Sequence, residues 1–141
     1  MEWTRSGEDL FVRLGPGEEI HTNLKALADE LKINAAAITS GIGRTSNNVY
    51  GFMNDEHIYR RFHLDESSEL VSLQGNIARL EDGSAFTHIH ACFADNDNVV
   101  HAGHLFEATV VVVAEIHLRI MPHVQMTRCP IVNSQFVRLE F

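Results

Sequence analysis

Apolar and polar residues alternate over Asp9–Leu14 (DLFVRL), and the alternation stops at Gly15-Pro16-Gly17. An alternating run ended by a turn signal reads as a first strand. In TNLKALADELKI the residues Leu24, Leu27, Ala28 and Leu31 stand at i, i+3, i+4 and i+7. That spacing predicts an amphipathic helix with one apolar stripe. Thr22 or Asn23 can cap its start, because a side-chain oxygen there accepts an otherwise orphaned backbone N–H. AAAITSGIGRTSNNVYGFM predicts a strand, a Gly-rich bend and a second strand. HIYRRFHL, ELVSLQGNIARL, FTHIHACFA, VVHAGHLFEATVVVVAEIHLRI and SQFVRLEF follow as strands, with hairpin turns at Glu81–Ser84 and Asp95–Asn98.

Successive strands with one helix predict an α+β fold, with a largely antiparallel sheet and residues 1–141 forming a single domain. Val110–Val113 is an unbroken β-branched run where a sheet with one wet face would alternate, so both faces are expected to be covered. One helix is too little for that. Either the sheet curls on itself, or a second subunit supplies the missing layer, and a homo-oligomer is expected.

Composition narrows the function classes. No apolar run approaches the ~20 residues of a membrane span, and the start lacks the basic and apolar regions of a signal peptide. Cys92 and Cys129 have no CxxC spacing, which fits reduced thiols in a cytoplasmic protein. Eleven Lys and Arg against nineteen Asp and Glu leave a net charge of −8. A fold that grips DNA neutralises several phosphates with clustered cations. Here Arg60–Arg61 is the longest basic run, which argues against DNA binding by this chain alone. Only a patch assembled in an oligomer would change that. Gly41 and Gly43 in SGIGRT lack the third glycine and following helix of a dinucleotide fingerprint, and the Lys of a P-loop. They read as a bulge or a close backbone approach.

Candidate chemistry concentrates in THIHACFADNDNVVHAGHL, which holds four of the nine histidines. His88 and His90 share one strand face, ~6.6 Å apart at two residues of ~3.3 Å rise. If Ala94 pairs with Asn98, His104 lies opposite His88; a register two residues later sets it opposite His90. Directly opposed residues share a face, so either register brings His88, His90 and His104 together. His101 points to the other face unless a bulge at Ala102–Gly103 intervenes. Three converging imidazoles suit Zn²⁺ or a similar divalent ion, with a fourth position open to water or a small ligand. The opposing reading is a set of hydrogen-bonded surface histidines.

Gly41–Gly43, ELVSLQGNIA, HIHACFADNDNVVHAGHL and VVVVAEI occur in the order seen in the PPC (plants and prokaryotes conserved) domain family, which the chain resembles over nearly its whole length. Ala102 stands where that family usually has the first of two glycines. The resemblance implies a prokaryotic stand-alone member: an α+β domain with a central antiparallel sheet, assembling as a homotrimer, with zinc on the histidines matching His88, His90 and His104. Plant members join this domain to AT-hooks, whose R-G-R-P core is absent here. Bacterial members are often labelled DNA-binding.

Three functions follow as expectations. One is a trimeric metal- or ligand-binding module. Another is a zinc-dependent hydrolase, with Glu107 or Glu115 as base; Glu115 interrupts an apolar strand and has a buried structural contact, to an Arg or to a neighbouring subunit, as its plainer role. The third is a DNA-associated regulator. Trp3 is expected as a core or interface anchor, and His21, His57, His63, His117 and His123 as surface or interface polar groups.

Overall fold

Long alternating strands dominate the chain, and they wrap. A computed structural model describes residues 1–141. The strands are β1 (Glu2–Ser6), β2 (Asp9–Leu14), β3 (Ala36–Met53), β4 (Tyr59–Leu64), β5 (Ser68–Leu80), β6 (Ala85–Ala94), β7 (Val100–Ile120), β8 (Thr127–Pro130) and β9 (Val137–Glu140). The helix α1 spans Ile20–Glu30. All strand pairs are antiparallel except β5 with β8. β7 pairs with β3, β3 with β5, β5 with β6, and β6 with β7 again, so the sheet closes a circuit on itself. This curled, mostly antiparallel sheet with one helix is the expected α+β class.

Closure gives the sheet an inside. Leu73, Ile77, Ile89, Phe93, Leu105, Ile116 and Leu118 point inward and are almost fully buried, and Leu24, Leu27 and Ala28 of α1 pack into the same core. The helix starts earlier than its stripe suggests. Its cap is Glu19, not Thr22 or Asn23: the Glu19 carboxylate accepts from the His21 and Thr22 backbone N–H groups. A longer side chain does the capping because His21 is itself anchored, its ring bonded to Thr87 Oγ1 at 2.7 Å and to the Leu105 carbonyl at 3.1 Å. His21 is therefore buried, not a surface group.

The bend expected near Gly41 and Gly43 is absent, since β3 runs through both as one strand with register shifts. A Cβ on Gly43 would lie 2.2 Å from the Val113 carbonyl oxygen, which is the close approach that favours glycine. The valine run divides. Val110 is buried, whereas Val112 is 58% exposed, as are Phe11 (50%) and Ile42 (55%), so closure of the sheet does not cover every apolar surface. Trp3 is partly exposed on β1 and lies outside the core. Glu115 is exposed within the chain and lies opposite Arg13, so the chain itself gives it no buried contact. No helix is long and apolar enough to cross a membrane.

Candidate metal centre and adjoining cavity

Alternation along β6 decides which side chains meet. Thr87, Ile89, Ala91 and Phe93 are buried in the core, while Phe86, His88, His90 and Cys92 face outward. Asp95 organises the turn to β7 by accepting from the Asp97 and Val99 N–H groups, and Asn98 adopts φ 63°. Ala94 then pairs with Val100 and His90 with His104, the second of the two registers open on sequence grounds. The pairing passes through Ala102 and Gly103 without a bulge. A Cβ at Gly103 would lie 2.4 Å from the Gly51 carbonyl oxygen, so glycine allows β3 to press against β7 here.

His88, His90 and His104 each present a ring nitrogen, all within 4.8 Å of one another. Their ring centroids are 5.0–5.5 Å apart. His101 points to the opposite face, as expected. Its Nδ1 meets the Tyr50 hydroxyl at 2.9 Å and its Nε2 meets Asp95 Oδ2 at 2.8 Å. Burial holds His88 down to about 4, helped by the nearby Arg128 cation and His90. Burial likewise holds His104 down to about 3, with His88 and His90 adding to the effect. Both rings are therefore neutral near pH 7, the form in which imidazole binds a metal.

The donor set fits a divalent metal. It is all imidazole, a borderline-soft ligand suited to zinc and its neighbours, and three such ligands would leave one position of a four-coordinate ion free. Tyr59 stacks beside His104 at 4.6 Å between centroids, with its hydroxyl 3.5 Å from Nδ1. One contact competes. Arg128 donates through Nη2 to His88 Nδ1 at 3.1 Å. A neutral imidazole has one lone-pair nitrogen, so His88 can serve Arg128 or a metal, not both.

Beside the triad lies a cavity of about 460 Å³ whose lining includes His88, His104, Tyr59, Phe106, Arg128 and Phe136. Sequence reasoning missed Tyr59, Arg61 and Arg128 here. Their signal was weak, because β4 is a short edge strand, β8 is only four residues long, and the cavity forms only when distant segments meet. Neither Glu107 nor Glu115 lines it, and no carboxylate does.

The Plants and Prokaryotes Conserved (PCC) domain profile matches residues 1–122. A plant- and prokaryote-conserved protein of Pyrococcus horikoshii is 30% identical, with a TM-score of 0.85 over 99% of this chain and 94% of that one. A metal-containing protein of Archaeoglobus fulgidus is 26% identical, with a TM-score of 0.86 over 99% and 97%. A candidate DNA-binding protein of Bacteroides thetaiotaomicron is 23% identical, with a TM-score of 0.89 over 99% and 96%, and shares the fold. A search of curated proteins found no match. The sheet, the helix and these matches define a class of small closed-sheet α+β domains. Within it, this chain belongs to the Plants and Prokaryotes Conserved domain family.

Proposed function

We propose that this protein is a homotrimeric metal-binding module of the cytoplasm, holding Zn²⁺ on His88, His90 and His104 and presenting its open position to a small ligand in the adjoining cavity. The convergence of three ring nitrogens within 4.8 Å carries the reading. The metal-containing relative from Archaeoglobus fulgidus supports it. Trimerisation is supported by the exposed Phe11, Ile42 and Val112, which a second subunit would cover. The free Cys92 and Cys129 fit a reducing compartment.

A hydrolase reading needs a base within hydrogen-bond reach of bound water. With no carboxylate lining the cavity, binding is favoured over hydrolysis. The DNA-associated reading rests on relatives that share the fold, and a net charge of −8 opposes it. The test is metal analysis of chelator-stripped, zinc-supplemented protein. One ion per chain in the wild type, lost in His88→Ala and His104→Ala, supports the site; no stoichiometric metal overturns it. A gel-shift series in low salt tests the DNA reading, and absence of retardation eliminates it.

A further inference from the structure

In a chain carrying −8, the cavity beside the triad is lined by Lys25, Arg61 and Arg128 and by no Asp or Glu. Local charge thus runs against the charge of the whole protein.

Arg128 is the sharpest feature. It is only 3% exposed and has no carboxylate partner. Its acceptors are the Val137 carbonyl at 2.9 Å, Asn76 Oδ1 at 2.8 Å and His88 Nδ1 at 3.1 Å, and its Nε–H has no acceptor at all. Arg79, the other buried arginine, shows how this fold treats such a group when its role is structural. It pairs with Asp29 and donates to the Ile33, Ala28 and Gly83 carbonyls. A buried cation without a counter-charge is costly, and the economical explanation is that its partner comes from outside.

The rest of the lining describes that partner. Phe86, Phe106, Phe136 and Tyr59 offer aromatic surface, and Arg61 is held over Phe106 at 4.0 Å from the ring centroid. A volume of about 460 Å³ is that of a small-molecule site. We infer that the cavity binds a small organic anion, its carboxylate or phosphate taken by Arg128 and its apolar body packed among the aromatic rings.

A coupling follows, which rests on the metal reading above. Arg128 and a metal compete for the single lone pair of a neutral His88. Metal on His88 therefore releases an Arg128 N–H that an oxyanion can take. Anion bound to Arg128 in turn removes a cationic competitor from His88. Each should tighten the other by the same factor.

Calorimetric titration of benzoate and phenyl phosphate into chelator-stripped and zinc-loaded protein tests this, with benzyl alcohol and inorganic phosphate as controls. Saturable binding of at least one organic anion is expected, tighter than either control, with the preferred head group separating carboxylate from phosphate. Arg128→Gln should weaken it by about tenfold or more, the usual effect of losing a charged hydrogen bond. Arg128→Lys, which keeps the charge but not the planar fork, should fall between. Should Arg128→Gln fail to fold, nuclear magnetic resonance of the wild type decides, since the anion must shift the Arg128 and Asn76 side-chain signals.

No saturable binding of either anion in either state overturns the inference, as does binding unchanged in both Arg128 variants or shifts confined to other surfaces. Equal anion affinity with and without bound zinc overturns the coupling. The two readings fail separately. Zinc without anion binding leaves the metal site standing, and anion binding in a protein that takes no zinc leaves the Arg128 site standing.

Discussion

Gly75 lies on β5 opposite Ile89, between the two histidines of β6. A Cβ placed there would stand 1.9 Å from the His88 carbonyl oxygen and 2.9 Å from both its carbonyl carbon and Ile89 Cα. Real Cβ contacts essentially never fall below 3.0 Å, so Gly75→Ala must part the strands locally by at least about 1.1 Å. Every clashing atom is backbone, which cannot yield by changing rotamer. Overpacking of a tight site costs roughly 1–3 kcal/mol, and this one belongs at the upper end. At roughly 3–4 °C per kcal/mol for a chain of this size, the melting temperature should fall by about 6–12 °C.

The same displacement moves His88 against His104. Ligand distances tolerate only about ±0.2 Å, so zinc affinity should fall in the roughly 10–100-fold range seen when ligand orientation is disturbed. Scanning calorimetry and competition against a chromophoric chelator measure the two effects. Gly83→Ala is the control: nothing lies within 4 Å, but its φ of +86° makes a side chain strained, so it should cost stability without touching zinc. Wild-type melting and zinc affinity in Gly75→Ala would refute the β5–β6 register on which the site depends.

Other outcomes follow from the same geometry. His104→Ala removes a ligand outright and should lower zinc affinity by more than the ~100-fold of an orientation defect, read by the same competition titration. Arg79→Met leaves the Ile33 and Gly83 carbonyls without this donor, while Ala28 keeps the Ile33 N–H and Asp29 stays solvated; it should destabilise the fold by about 1–3 kcal/mol in urea unfolding. Phe11→Glu with Ile42→Glu charges the exposed apolar surface. Light scattering should then show a shift from three times 15.8 kDa to the monomer, whereas a monomeric wild type would contradict the trimer. In chelator-stripped protein, burial lowers His21, His88 and His104. The unfolded chain binds these protons at about pH 6.5, and the folded rings at His88 and His104 only near 4 and 3. Stability should therefore be full above about pH 6.5 and decline steadily as pH falls toward 4 and 3, as urea midpoints across pH would show.

Much of this was legible in the chain because local pattern and global fold agree. Period-two alternation in β6 is what puts His88 and His90 on the outer face and Ile89 in the core. The helix stripe was equally plain, yet its start was not, because the anchor at His21 is a pair of hydrogen bonds to residues 66 and 84 positions away. A cap chosen by tertiary contacts leaves no local mark. The continuity of β3 was hidden for a similar reason: Gly41 and Gly43 look like a bend until Leu73 and Val113 are seen pressing on them. β1 is a short edge strand and β8 a four-residue strand between β5 and β9, and neither has much periodicity to read. Arg128 was invisible as a site residue, since its significance lies in what it lacks, a carboxylate, and only packing reveals that.

X-ray absorption at the zinc edge of the loaded protein tests the central claim most directly. Three imidazole nitrogens at about 2.0–2.1 Å with one further light-atom ligand is the predicted first coordination shell. A sulfur ligand, fewer than three imidazoles, or a spectrum unchanged by His88→Ala would contradict it.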